Sequence, residues 1–125
     1  MHAVISSFSE ALERLEEAVA AEKTELHRDA AIQRFGYTIE LAWKAIQKYL
    51  RSEHEIDCRS PKRCLQDAFS VEVIADDPLW SDMLHKRNLT SHTYYETIAE
   101  EVYTALPSYL PLLRELEQVL TTRET

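Results

Sequence analysis

The stretch IQRFGYTIELAWKAIQKYL (residues 32–50) decides the fold, because its apolar residues recur at intervals of three and four. That spacing places them on one face of an α-helix and predicts a helix over about residues 27–52. The predicted apolar face consists of Ile32, Phe35, Ile39, Ala42, Trp43, Ile46 and Leu50. Gly36 inside this helix costs about 1 kcal/mol relative to Ala. We therefore expect a neighbouring helix to approach the backbone closely there.

The segments at both ends of the chain show the same helical spacing. An apolar face recurs through residues 3–22 and again through residues 95–121. Within the second segment, Pro107 and Pro111 each remove a backbone hydrogen bond. The segment is therefore either one kinked helix or two helices that break near Leu106.

Two proline signals predict shorter helices in the middle of the chain. Ser60 and Pro61 have the types preferred at the N-cap and the first position of a helix, here over about 61–71. Asp77 and Pro78 repeat the signal and open a fourth helix. With the three longer segments, this pattern predicts an all-α fold, an antiparallel up-and-down four-helix bundle with a short extra helix.

Composition agrees with a single helical domain over residues 1–125. The chain has one glycine, fewer than a sheet protein of this length normally uses in its turns. No apolar run approaches the roughly 20 residues that span a bilayer, and the amphipathic, acidic opening is unlike a signal peptide. We expect a cytoplasmic protein. The large apolar stripes of so short a chain also favour a homodimer.

Charge and cysteine content limit the ligands and metal sites that the chain could have. The net charge of −8 argues against general coating of nucleic acid, yet residues 44–63 carry six bases against three acids. That segment is either a basic patch or a solvated helix end and loop. Cys58 and Cys64 are too few for a four-cysteine zinc site, so we expect free thiols, no metal site and no cofactor.

The stretch KRNLTSHTYYE (residues 86–96) concentrates hydrogen-bonding and titratable side chains. Arg87 offers a planar charge that matches phosphate oxygens, and His92 can exchange a proton near neutral pH. Tyr94 adds a hydroxyl and a stacking face. These types suit metal-independent cleavage of RNA, in which two groups move protons and the arginine stabilises the transition state. One histidine supplies half of that pair, so a two-fold dimer would have to supply the other half.

The geometry of this stretch depends on whether the helix continues through it. In an unbroken helix, Arg87 and His92 would lie about 140° apart, whereas Asn88 and His92 would share a face. The sequence TSHT favours an interruption, which would swing His92 back towards Arg87. The alternative is a simple polar turn, in which Arg87 pairs with Asp82 or Glu96.

Two charged residues lie among the apolar neighbours of the 27–52 helix. Arg34 and Glu40 are expected to be paired or to extend their charged ends to solvent. In an alternative interpretation, Arg34 lines a groove that binds the phosphates of the substrate.

Taken together, these stretches resemble a known family over about residues 5–115. RNLTSHTY (87–94) is similar to the R-x4-H-x-Y form of the HEPN motif. The 32–50 stretch resembles the second-helix signature of the nucleotidyltransferase substrate-binding-protein family. The segments SPK (60–62) and DPLWSDMLHKRN (77–88) follow the order of that family.

The resemblance implies a dimeric helical bundle whose partner is a small, separately encoded nucleotidyltransferase. Related HEPN proteins are ribonuclease toxins, and their cognate nucleotidyltransferases silence them by adding AMP to the motif tyrosine. By this resemblance, Arg87 and His92 form the catalytic pair, Asn88 positions the substrate, and Tyr94 binds substrate and accepts the AMP. The alternative is a non-catalytic subunit that holds substrate for the nucleotidyltransferase or acts as its scaffold.

Two positions depart from the pattern that the resemblance leads us to expect. An acidic residue is expected where this chain has Gly36, and another after the motif tyrosine, where it has Tyr95. The first departure removes a polar contact from the second helix. The second weakens the cap of the last helix and adds another candidate acceptor for AMP.

Overall fold

The computed structural model describes residues 3–123, which form five α-helices and one 3-10 turn. The elements are α1 (Ala3–Ala20), α2 (Glu25–His54), α3 (Pro61–Ser70), α4 (Leu79–Leu89), the 3-10 turn (Thr90–His92) and α5 (Glu96–Arg123). No residue between 3 and 123 is in a β-strand. The predicted all-α class and antiparallel helical bundle are therefore confirmed.

The core lies between the three long helices, with α3 and α4 packed against α2. The largest fully buried side chains come mainly from α1, α2 and α5: Ile5, Phe8, Leu12, Leu15, Phe35, Ile46, Leu50, Leu106, Tyr109, Leu113 and Leu116. Burial of each such apolar side chain adds about 1.5–3 kcal/mol to the free energy of unfolding, relative to the same side chain left exposed. The rings of Phe35 and Tyr109 stack with centroids 5.6 Å apart, which joins α2 to α5. None of the helices within residues 3–123 is long and apolar enough to cross a membrane.

The two shorter helices begin at the predicted residue or one residue later, α3 at Pro61 and α4 at Leu79, directly after Pro78. The Ser60 hydroxyl accepts a hydrogen bond from the backbone N–H of Arg63 at 3.2 Å, with Pro61 in the first turn. A carboxylate oxygen of Asp77 accepts from the N–H of Leu79 at 2.9 Å. Each cap satisfies a backbone donor that the first turn of a helix leaves unpaired.

Helix α5 runs without a break through both of its prolines, so the single-helix alternative is the one observed and the alternative of two helices that break near Leu106 is wrong. Pro107 and Pro111 are both exposed and lie one helical turn apart. The carbonyls that lose their partners therefore face solvent, where water can satisfy them. Apolar packing along the opposite face holds the helix together.

Cys58 and Cys64 form a disulfide, and the expectation of free thiols is wrong. Their Cα atoms lie 5.1 Å apart because the loop after α2 turns back onto the first turn of α3. Both residues are buried, and the side-chain amide of Gln47 donates to the Cys58 carbonyl at 2.7 Å. Residue counts and spacing could not show this folded-back loop.

Gly36 does not mark a close helix crossing, and that prediction is also wrong. A Cβ atom added at Gly36 would have the Thr90 hydroxyl oxygen as its nearest neighbour, at 3.8 Å. That distance is an ordinary van der Waals contact, so the backbone at this position would accept a methyl group. The face of α2 that carries Gly36 instead borders the 3-10 turn.

Candidate functional site

The helical backbone is interrupted within the KRNLTSHTYYE stretch, as its sequence predicted. Helix α4 ends at Leu89, the 3-10 turn follows, and α5 begins at Glu96. The Thr90 hydroxyl donates to the Arg87 carbonyl at 2.6 Å, and the Thr93 hydroxyl donates to the Thr90 carbonyl at 3.2 Å. These side chains bind carbonyls at the end of α4, which explains why a threonine- and serine-rich segment stops the helix here.

Arg87 pairs across the bundle with Glu40 of α2. One guanidinium nitrogen, Nη1, donates to the Glu40 carboxylate, and Nη2 donates to the Asn88 side-chain oxygen at 3.4 Å. The Arg87 side chain is 26% exposed, so it is held in place but still reachable from solvent. The alternative in which Arg87 pairs with Asp82 or Glu96 is therefore wrong.

Glu40 is the residue of this site that sequence reasoning did not assign to it. Its second carboxylate oxygen accepts from the Trp43 indole N–H at 3.2 Å and lies 3.7 Å from the Lys44 ammonium. The expectation that Glu40 is paired is confirmed. Its pairing with Arg87 spans 47 residues of sequence, and no local spacing indicates it. An acid among the apolar neighbours of α2 was the one available signal.

The histidine and tyrosines of the motif lie on the exposed side of the turn. His92 is exposed, and its ring centroid lies 6.2 Å from that of Tyr94 in an edge-on arrangement. Tyr94 is 73% exposed and its ring centroid lies 4.5 Å from that of Tyr95, which is also exposed. Three adjacent rings thus face solvent, accessible to a ligand or a modifying enzyme.

A second arginine fixes the start of α5, directly after this turn. Arg28 of α2 donates to Glu96 at 2.5 Å, to Glu100 at 3.5 Å and to its neighbour Asp29 at 3.1 Å. The hydrogen bond from Arg28 lowers the pKa of Glu96, whereas the Lys23 ammonium is the main cause of the lowered pKa of Glu100. Glu96 is therefore already ion-paired with Arg28, which helps explain why Arg87 has a different partner.

Helix α4 is attached to α5 by a polar contact at Asp82, five residues before Arg87. The buried Tyr109 hydroxyl donates to Asp82, which also accepts from Lys86 at 3.1 Å. The Tyr109 hydrogen bond lowers the pKa of Asp82. Burial, followed by this same bond, raises the pKa of Tyr109. The contact fixes the position of the helix from which Arg87 extends.

Arg34 lies on a different side of α2 from Glu40. Its guanidinium donates to the backbone carbonyl of Arg14 in α1 at 2.8 Å. It lines a groove between α1 and α2 together with Glu17 and His27. Arg34 is therefore paired, as expected, and the contacts of the described residues do not bring it to Arg87 or His92.

The fold and the Arg–His–Tyr turn define the class of protein, a HEPN-type helical bundle. A family model described as "Nucleotidyltransferase substrate binding protein like" matches residues 3–122. The chain belongs to this family. The match covers nearly the full length, including the α2 stretch and the motif turn, and so confirms the family suggested by sequence resemblance.

Individual relatives agree with this assignment. A Haemophilus influenzae (strain Rd) protein named "Probable ribonuclease HepT" is 31% identical over 96 residues, which cover 70% of this chain and 66% of the relative. The chain thus spans just under two thirds of that relative's length. A crystal structure of a Thermus thermophilus protein is 38% identical and superposes with a TM-score of 0.86, covering 90% of this chain and 98% of the other.

A second solved structure supports the fold alone. It is a Haemophilus influenzae protein described as revealing the fold of a substrate-binding domain of a nucleotidyltransferase. It is 23% identical, with a TM-score of 0.81, and the match covers 94% of this chain and 98% of the other. Such a likeness at low identity shows that the five-helix arrangement is common to both chains.

Proposed function

We propose that this protein is the HEPN-type partner of a minimal nucleotidyltransferase and acts as the metal-independent ribonuclease toxin of a two-gene toxin–antitoxin pair. The observation that carries the proposal is the half-buried Arg87, held by Glu40 beside an exposed turn that presents His92 and Tyr94. A fixed cation on the last turn of a helix, followed directly by a turn that carries an accessible proton-transfer group, is suited to phosphodiester chemistry. The name of the Haemophilus influenzae relative supports the same activity.

In the proposed reaction, the 2′-hydroxyl of the RNA loses its proton to one base and its oxygen attacks the adjacent phosphorus. The bond from phosphorus to the 5′-oxygen of the next nucleotide breaks, and that oxygen receives a proton from an acid. The products are a 2′,3′-cyclic phosphate and a free 5′-hydroxyl. Arg87 stabilises the charge on the phosphoryl oxygens in the transition state, and Asn88 positions the substrate.

His92 supplies one of the two proton-transfer groups in each chain. We propose that the second comes from His92 of another copy, so that the active site forms at the axis of a homodimer. The exposure of His92 in the single chain is compatible with a position at such an interface. A covalent homodimer or a mixed dimer with one inactive copy would reveal whether both histidines are needed.

Tyr94 is the residue whose modification is proposed to switch off the ribonuclease. Its phenol oxygen would attack the α-phosphorus of ATP in the nucleotidyltransferase site, which forms a phosphodiester with AMP and releases pyrophosphate. The exposed ring is accessible for this reaction, and Tyr95 is a second candidate acceptor. The attached AMP places a negative charge and a nucleoside on the same turn as His92, where it would exclude RNA.

A non-catalytic role is the second candidate function. The single motif histidine and the net charge of −8 favour a subunit that holds substrate or acts as a scaffold for the nucleotidyltransferase. The substrate-binding description of the family supports this alternative. In that case the exposed Tyr94 and Tyr95 rings would contact the bound substrate.

Cleavage of structured RNA by the purified chain in the presence of EDTA separates the two functions. The ribonuclease proposal predicts cleavage that His92→Ala abolishes and that the matched change His85→Ala, at an exposed position of α4, leaves intact. Equal cleavage by His92→Ala, or none by the wild type, would favour the non-catalytic role.

Co-expression with the nucleotidyltransferase encoded by the adjacent gene tests the control step. The expected result is one or more added AMP groups by intact mass, lost or displaced in Tyr94→Phe and retained in Tyr95→Phe. An unmodified Tyr94-containing peptide would contradict the assignment of Tyr94 as the acceptor.

A further inference from the structure

We infer that α2 carries a binding track for the phosphate backbone of a single RNA strand, leading away from Arg87. This inference rests on the proposed ribonuclease function and adds the path of its substrate. The track consists of Lys44, Lys48 and Arg51, which we call the α2 basic track. It accounts for part of the basic segment found in the sequence of this otherwise acidic chain.

The α2 basic track follows one face of the helix. Its members are separated by four and three residues, which corresponds to about 6 Å and 4.5 Å of axial rise. They line a single open groove of about 430 Å³ together with Val4, Gln47 and Asp57. This spacing is comparable with that of successive phosphates along an extended strand, so one strand can meet all three cations.

The track is continuous with the candidate site. The Lys44 ammonium lies 3.7 Å from the Glu40 carboxylate, and Glu40 is the residue that holds Arg87. A strand with its reactive phosphate at Arg87 can therefore place its neighbouring phosphates on Lys44 and beyond. The Arg87–Glu40 pair joins two parts of the chain that are far apart in sequence.

The cations of the track are available to a ligand. The side chains of Lys44 and Arg51 are 53% and 74% exposed. Lys48 is exposed and forms no ion pair with any side chain among residues 3–122. Among the described residues, Asp57 is the one acid lining the groove; it lies 4.0 Å from Arg51 but is bound more closely by Arg59, at 3.0 Å. The groove therefore keeps a local excess of positive charge.

The lining of the groove favours a nucleic-acid backbone over a free nucleotide. Among the described residues, none of the six side chains that line the groove is aromatic, so these residues offer no ring on which a base could stack. Three cations in a row along an open surface match an extended polyanion. Recognition by charge alone is independent of base sequence and sensitive to salt.

Binding of a fluorescent 2′-O-methyl RNA strand tests the track without cleavage, since this strand lacks the attacking hydroxyl. Fluorescence anisotropy is measured for the wild type, Lys48→Gln and the control Lys62→Gln across a range of salt concentrations. Lys62 is also an exposed lysine, but it lies on α3 and lines a different groove, so the control carries the same loss of charge.

The track predicts that Lys48→Gln lowers the slope of log Kd against log salt by about 0.7, the value for one phosphate contact with a single strand. In 0.1 M salt this corresponds to about fivefold weaker binding. Lys62→Gln should leave both quantities unchanged. Equal effects of the two changes, or no binding by the wild type, would overturn the track.

Two further measurements separate the track from related explanations. Competition by ATP as effective as that by a strand of several nucleotides would indicate a single phosphate pocket and overturn the track. A cleavage assay on unmodified RNA is run in parallel with the same variants. Lys48-dependent binding without His92-dependent cleavage would reject the ribonuclease and retain the track, whereas cleavage unaffected by Lys48→Gln would reject the track and retain the ribonuclease.

Discussion

Two arginines join different elements of this bundle, and they are held in different ways. Arg28 of α2 is 6% exposed and bonds to three carboxylates, those of Asp29, Glu96 and Glu100. Arg87 of α4 is 26% exposed and, within residues 3–123, has one carboxylate partner, Glu40. The first guanidinium is buried and saturated by its partners, whereas the second keeps part of its surface open to solvent.

The difference separates a structural ion-pair network from a candidate site. A buried cation with several partners fixes the start of α5 but offers nothing to a ligand. A cation held by one carboxylate is oriented and can still receive a phosphate. Removing Arg28 should therefore act mainly on stability, and removing Arg87 mainly on activity.

The largest expected effect is that of Arg87→Ala on RNA cleavage. Loss of the group that stabilises the transition state should reduce the single-turnover rate by about 10²- to 10³-fold. The melting temperature should change little, because Glu40 is then left partly exposed to water. If the Arg87→Ala variant lost cleavage activity only in proportion to the fraction of protein that is unfolded, the role of Arg87 would be structural, as that of Arg28 is.

Glu40→Gln tests whether the single carboxylate partner orients Arg87. Misplacement of the guanidinium should lower the cleavage rate by about 10- to 100-fold while RNA affinity stays close to that of the wild type. Glu40→Asp should recover part of the rate. Glu53→Gln, an exposed acid on the same helix, serves as the control. An equal fall in affinity for the Glu40 and Glu53 variants would instead indicate a general effect of charge.

Arg28→Ala should show the opposite profile to Arg87→Ala. It leaves the Glu96 carboxylate without its main cation and close to Glu100, which keeps its contact with Lys23. We expect a lower melting temperature by circular dichroism, with near-normal cleavage per folded molecule at low temperature. Loss of cleavage in fully folded protein would show that the start of α5 takes part in the site.

Tyr109→Phe weakens the contact that fixes α4, and its effect should depend on pH. The Tyr109 hydrogen bond is the main cause of the lowered pKa of Asp82, so its stabilising effect is full above the ordinary carboxyl range and is lost as pH falls through the lowered value. We expect a loss of about 1 kcal/mol in the free energy of unfolding at pH 7. The difference from wild type should shrink at pH 3. Urea denaturation at both pH values provides the measurement, and a constant difference would contradict this assignment.

Local features of the structure were predictable from the sequence, and contacts between distant segments were not. Apolar periodicity and the caps at Ser60 and Asp77 are properties of a few adjacent residues, and they indicated the helices correctly. The pairing of Arg87 with Glu40 depends on how two helices lie against each other. The Cys58–Cys64 bridge likewise depends on a loop that folds back. Residue types alone leave such partners open, which is why Asp82 and Glu96 were as plausible for Arg87 as Glu40.

Gly36→Ala should have the smallest effect, a gain of about 0.5–1 kcal/mol in the free energy of unfolding. The added methyl group would meet the Thr90 hydroxyl at an ordinary contact distance of 3.8 Å, and an alanine restricts the unfolded chain more than a glycine does. Gln33→Ala, at an exposed position of the same helix, is the control and should change stability by a few tenths of a kcal/mol. Destabilisation by Gly36→Ala would show that the motif turn packs too closely against α2 to accept a methyl group. A gain in stability with unchanged cleavage would instead support a turn that lies against α2 without close packing, held there chiefly by the Arg87–Glu40 pair.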